Sequence, residues 1–288
     1  MGELPVTLER LDCLLMSAGG LVLLAAAVRW WRAGRGDPLR GSPLRVSRLS
    51  PLALWVCLVL YGLAAGVGTE LALWALPAGL GGQAKSAWQA VLATNMMQVL
   101  MVGILLAAAR ILFVSGWRGL GIGRRTLGAE IGWMVGGLLA AICVCGVVLL
   151  ITKWVVEWMR YVPPGHSVFQ TLEDPGSPRW MRVVSVGGAI VLAPVGEELL
   201  FRGFLQTGIR KLVWPRWGSM RHRWMGIGVA AVLFGAMHLQ MRHHVPALIV
   251  LGIVLGYLYE RSGSLTVPIG VHMLFNAKTL LWYHLARM

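Results

Sequence analysis

Charge is scarce in this 288-residue chain: 13% of the residues are charged and 57% are hydrophobic, whereas about a quarter are charged in an average soluble domain. Acids are scarcer still, 12 Asp and Glu against 26 Lys and Arg. So little charge excludes an ordinary soluble surface, and lipid is the expected solvent. The net charge of +14 does not point to nucleic acid, because that reading needs a basic face on a soluble fold and here the cations lie between apolar runs. The four cysteines, Cys13, Cys57, Cys143 and Cys145, fall inside apolar runs without metal-ligand spacing and are read as small core residues. No internal repeat, low-complexity tract or His-Glu-x-x-His helix is present, and the last absence excludes the zincin arrangement. The start of the chain carries Glu3 and Glu9 against Arg10, unlike the positive start of a signal peptide, so the first span is expected to be retained.

What the chain does have is long apolar runs. A bilayer core takes about 20 apolar residues per helical crossing, and eight runs qualify, near 12–28, 51–76, 88–113, 128–152, 182–205, 224–241, 245–260 and 265–285. The connections reach roughly 30 residues at most, too short for a soluble domain of about 50. The expected fold is all-α, a polytopic membrane helix bundle of about eight transmembrane helices. Sixteen cations fall on one side of it and eight on the other. By the positive-inside rule the richer side is cytoplasmic, which puts both termini outside. Most of the 14 tryptophans mark span ends, an interfacial belt. A bacterial inner membrane is the expected location.

Residues 1–180 read as a scaffold of about four spans and an external loop, and 181–288 as a core of about four spans that carries the paired polar residues. The first four spans carry only Glu70, Asn95 and Gln98 as polar exceptions, and Glu70 lies near a span end where headgroups are in reach. Gly62 and Gly66, four apart, are expected to let helices approach closely. Tyr161 to Arg179, rich in Pro, Gly and Ser and containing Glu173 and Asp174, reads as an external loop joining the halves.

Beyond that loop polar residues enter the spans in pairs. The fifth contains Pro194-Val195-Gly196-Glu197-Glu198 and then Arg202. A charge at mid-bilayer costs about 2.5–3.5 kcal/mol on insertion scales, so two adjacent carboxylates need partners. Glu198 and Arg202 share one helix face at i, i+4 and pair. Glu197 points about 100° away and is left to act as a general base. Pro194 removes a backbone hydrogen bond and kinks the helix. The sixth span supplies Phe234 and His238, and the eighth His272 and Asn276, again four apart. All lie within a turn or two of mid-membrane, so one site is expected. Two histidines, a free carboxylate and an amide can activate water against a carbonyl and stabilise the oxyanion that forms. Singly, each has a structural reading: His238 bonded to a backbone carbonyl, Asn276 as interhelical glue, Glu198–Arg202 as a structural pair. His243 and His244 read as a solvated external turn, and His222 and His284 as membrane-edge residues.

Glu-Glu-x-x-x-Arg at Glu197, Glu198 and Arg202, Phe-x-x-x-His at Phe234 and His238, and His-x-x-x-Asn at His272 and Asn276 together resemble the three motifs of the CPBP family. That family comprises type II CAAX prenyl endopeptidases and bacterial relatives linked to bacteriocin processing and self-immunity. The resemblance covers roughly 180–285, in the right order on three spans. It implies an intramembrane endopeptidase acting on lipidated or membrane-embedded substrates. Glu197 and His238 would activate water, and His272 and Asn276 would form the oxyanion site. No cofactor is required by this reading, although the family has been described both as metal-dependent and as metal-free. Two histidines and a glutamate would be a fitting zinc set. Outside the enzymes, a scaffold or immunity protein keeps such residues for binding, and a transporter would add repeats or a polar stripe.

Overall fold

The computed structural model describes residues 3–34, 36–43, 47–76, 82–123, 126–160, 172 and 177–287, without the side chains of 3–5, 82–86 and 213–220. Most of the expected external loop, Glu173 and Asp174 included, lies outside the described residues, as do Arg35, Arg45, Arg124 and Arg125 and the side chains of Lys85, Trp214, Arg216 and Trp217. Four helices come first: α1 (Glu3–Arg32), α2 (Pro51–Ala75), α3 (Gly82–Leu112) and α4 (Leu127–Trp158), with a 3-10 turn at Gly116–Leu120 between the last two. A broken helical run follows, α5 (Arg179–Gly187) and α6 (Ala193–Glu198) with π-helical turns at Gly188–Leu192 and Leu199–Gln206. The chain then continues into α7 (Thr207–Ala236), a 3-10 turn at Leu239–His244, α8 (Val245–Ser262) and α9 (Thr266–Leu285). Among the described residues there is no strand, only an isolated bridge between Ser47 and Phe113.

Local chemistry sets several of these ends. Pro51 opens α2, and the Ala53 N–H donates to Ser50 Oγ at 3.2 Å, satisfying one of the donors a helix start leaves free. Gly263, at φ 71°, closes α8, a left-handed cap that glycine adopts without steric cost.

Six helical segments are long and apolar enough to cross a membrane, within Val6–Arg32, Pro51–Ala75, Ala87–Leu112, Leu127–Trp158, Arg179–Leu212 and Leu239–Ser262. The all-α polytopic bundle holds. Two expected spans, the sixth and the eighth, fall outside this set. α9 has 20 residues, about 30 Å at 1.5 Å per residue, but carries His272, Asn276, Lys278 and His284. The sixth run does not reach residue 241 as one helix, because α7 ends at Ala236 and the 3-10 turn takes over. The chain reverses between Arg210 and Gly226: a Cβ at Gly226 would sit 2.9 Å from Gln206 O, and Phe201 meets Phe234 edge to face at 5.3 Å.

α2 lies along α3, α1 along α4 and α7 along α8; α4 also packs on α8 and α9, and α3 reaches the broken run. The expected glycine contact falls elsewhere than predicted. Gly62 and Gly66 are exposed and nothing would meet a Cβ there, whereas a Cβ at Gly68 would lie 2.8 Å from Met97 N and one at Gly19 would overlap Leu139 O. The reason is helical phase: the residues of α2 that face α3 are Ala64, Gly68 and Ala72, all buried. Cys57 and Cys145 are core residues as expected, but Cys13 is exposed. His222, expected at a membrane edge, is fully buried, and His243 and His244 are half-buried with their rings 4.0 Å apart.

On the arginine-rich side the packing is ionic. Glu260 is fully buried and accepts from Arg210 Nη1 at 3.1 Å, Arg223 Nη1 at 3.4 Å and Gln206 Nε2 at 3.3 Å. This ties the broken run, α7 and α8 together at one end. Removing one partner of a buried ion pair costs about 3–5 kcal/mol, so Glu260→Ala, which takes the carboxylate from two buried guanidinium groups, is expected to lower the thermal midpoint in detergent far more than removal of the exposed Lys153–Glu157 pair. Comparable melts for the two variants would overturn this account.

Candidate active site

The site is built on the break in the fifth span. The Ala193 N–H donates to Gly188 O, five residues back, the π register, which is common at functional sites. In that register Pro194 would donate to Ala189 O, but proline has no N–H. Asn276 Nδ2 donates to Ala189 O instead, at 2.9 Å. The third motif is thereby hooked to the backbone just ahead of the carboxylates. A second π stretch, Leu199–Gln206, follows Glu198, and Thr207 Oγ1 donates to the Arg202 carbonyl at 3.1 Å.

Glu198 and Arg202 side chains are both fully buried, with Nη1 to Oε1 at 3.0 Å. Arg202 Nη2 also donates to Gly252 O at 3.2 Å, and its guanidinium lies 4.8 Å above the Phe234 ring, a cation–π contact that helps to keep the charge in the interior. Glu198 has a second partner that spacing did not reveal. His272 Nδ1 is 3.0 Å from the same Oε1. Glu198 therefore joins the cation on its own helix to the imidazole from α9, and fixes which way that ring faces. His272 Nε2 is left toward Glu197, 3.9 Å from Oε2, too far for a direct hydrogen bond. The Glu197 side chain is 18% exposed against 0% for Glu198, so it is the accessible carboxylate of the two.

His238 sits just past the end of α7, not inside the helix, as the residue that caps the 3-10 turn. Its Nδ1 is 2.9 Å from Phe234 O. Since a carbonyl can only accept, Nδ1 carries the proton and a neutral ring keeps a lone pair on Nε2. Phe234 meets His238 at 5.2 Å and His272 at 5.7 Å, so the aromatic of the second motif packs against both histidines. Glu197 lies within electrostatic range of His272, His238, Glu198 and Arg202. All six residues named from the sequence thus belong to one neighbourhood.

The other half of the chain also lines this site. Gln98, 6% exposed, places Oε1 where a Cβ at Gly196 would sit, 2.6 Å away, and Oε1 has no hydrogen-bond partner among the described residues. Asn95 packs on Gly188 in the same way, its Nδ2 donating to Val91 O at 2.9 Å. Tyr61 on α2 lies within electrostatic range of Glu197. The available signal was that Asn95 and Gln98 were the polar exceptions of their span. Among the described residues no three of the His, Cys, Asp and Glu side chains are grouped to hold a metal ion. With Nδ1 of His238 on Phe234 O and Nδ1 of His272 on Glu198, the two Nε2 atoms and the Glu197 carboxylate are the groups that would hold a metal ion, since histidine ligands usually donate their other ring N–H to a carbonyl or carboxylate.

If Glu198 orients His272, Glu198→Ala should cost about 10²-fold in turnover, the scale of losing a positioning contact. Glu198→Gln, which still accepts from Nδ1, should recover part of it. Equal turnover in both variants would remove the orienting role.

Residues 179–278 match the family model described as Rce1-like, type II CAAX prenyl endopeptidase. An uncharacterized 24.3 kDa protein of Escherichia coli is 31% identical over 86 residues, 29% of this chain and 36% of that protein; the chain thus spans about a third of the length of this relative. No solved structure gives a significant match. The family match takes in the segments that carry Glu197, Glu198, Arg202, His238, His272 and Asn276, so the resemblance read from the three motifs holds over residues 179–278.

Proposed function

We propose that this chain is an intramembrane endopeptidase that hydrolyses a peptide bond in a membrane-embedded or lipidated, CAAX-like substrate. The observation that carries this is the division of labour between adjacent carboxylates: Glu198 is fully buried and shared by Arg202 and His272, while Glu197 remains partly open beside both histidines. Glu197 takes a proton from water as its oxygen attacks the scissile carbonyl carbon. His238, its Nδ1 proton given to Phe234 O, offers Nε2 to the same water. The oxyanion is met by His272 Nε2–H in the charged form of the ring and by the second amide N–H of Asn276, the first being held by Ala189 O. Such fixed donors are worth most where water is sparse. The C–N bond then breaks, and Glu197 returns its proton to the departing amine. No step requires a metal, and the location proposed is a bacterial inner membrane with both termini outside.

The test is cleavage of a panel of membrane-anchored and prenylated peptides by purified protein. Glu197→Gln is expected to lose about 10²–10⁴-fold, the usual contribution of a general base, and chelation to leave the wild type active. Loss in both would replace the metal-free reading with a zinc site. No cleavage of any peptide by the wild type would move the weight to a binding or immunity role.

A further inference from the structure

The arginine-rich side holds a second polar cavity, away from the carboxylates. It measures about 420 Å³ and is lined by Arg110, Ser115, Gly116, Trp117 and Arg118. Arg110 lies in the last turn of α3, and the chain turns back over it so that a Cβ at Gly116 would lie 3.9 Å from Arg110 Cα. Trp117 fixes the turn by donating Nε1 to Leu106 O at 2.8 Å and leaves half its surface exposed at the end of the span, the setting typical of a headgroup-level tryptophan.

Both arginines are exposed, and among the described residues no acid pairs with them. Three acids lie on this side, and each is engaged elsewhere: Asp37 with the Leu39 N–H and Trp224, Glu130 with Ser264 and Thr266, Glu260 with Arg210 and Arg223. Two guanidinium groups, a hydroxyl and an amphipathic ring around one cavity are the chemistry that receives a phosphate. At the end of a membrane span the abundant source is a lipid headgroup. We propose that this cavity binds the phosphate of an anionic phospholipid. The turn is also the back wall of the catalytic helix. Leu120, fully buried, would lie 3.1 Å from a Cβ at Gly203, the residue after Arg202, and Phe113 meets Phe204 at 5.7 Å. A lipid that fixes the turn therefore supports the π stretch that presents Arg202.

Binding is read without reference to catalysis, by titrating phosphatidylglycerol into the full-length protein in neutral detergent and following the thermal midpoint. Phosphatidylcholine and inorganic phosphate are titrated in parallel. Arg110→Gln/Arg118→Gln should weaken the apparent affinity for phosphatidylglycerol at least about tenfold, the equivalent of roughly 1.4 kcal/mol. Arg110→Lys/Arg118→Lys should fall between, since it keeps the charge and loses the planar fork. An equal response to inorganic phosphate alone would keep the cavity as a phosphate site and make free phosphate its ligand. A double Gln variant that titrates like the wild type, or a wild type that responds equally to phosphatidylcholine, would overturn the proposal.

Discussion

The arrangement of the site depends on one buried carboxylate. Glu198 has no access to solvent, and a charge in that position persists only with compensation. Arg202, one turn along, and His272, from the last helix, supply it through a single oxygen. Because both partners are needed, the contact does two things together. It holds α9 against the broken run, and it turns His272 so that its other nitrogen faces Glu197. The same carboxylate therefore holds the fold and orients a site residue.

The helix break is the second constraint, and it follows from the first motif's own chain. Pro194 cannot complete the π turn that precedes it, and the carbonyl it leaves at Ala189 is the one that Asn276 reaches. A backbone polar group left bare in lipid costs several kcal/mol, so the kink and the third motif depend on each other. Gly188 and Gly196 leave room on the opposite side of the break, where Asn95 and Gln98 pack. The first half of the chain, expected as scaffold, thus supplies part of the wall of the site.

Polar groups in this molecule gather in a few places and leave the rest to apolar packing and lipid. Beneath the site, Glu260 binds two arginines and Gln206, which belongs to the same π stretch. At the start of α9, Glu130 accepts from Ser264 and Thr266 at 2.6 and 2.7 Å. That anchor lies six residues before His272 and fixes the height at which its ring enters. The turn from Gly116 to Leu120 closes the remaining side. The side chains proposed for catalysis need such supports, because a displacement of about 1 Å at a site is enough to cost 10²-fold.

Spacing and composition alone pointed to lipid as the solvent, to the helical class and to the residues proposed for the site. Apolar runs of bilayer length admit helices that satisfy their own backbone, and ionisable residues inside such runs are too costly to be there without a role. Spacing by four also yielded Glu198–Arg202, because a pair on one helix is a local matter. The partners between helices came only with the packed fold: His272 on Glu198, Asn276 on Ala189, Gln98 against Gly196. It also decided that Gly68 and not Gly62 or Gly66 is the close contact of α2, and that His238 lies beyond its helix. Each of these depends on helix phase and on a backbone break that shifts register, and neither quantity is carried by the spacing of residues along one chain.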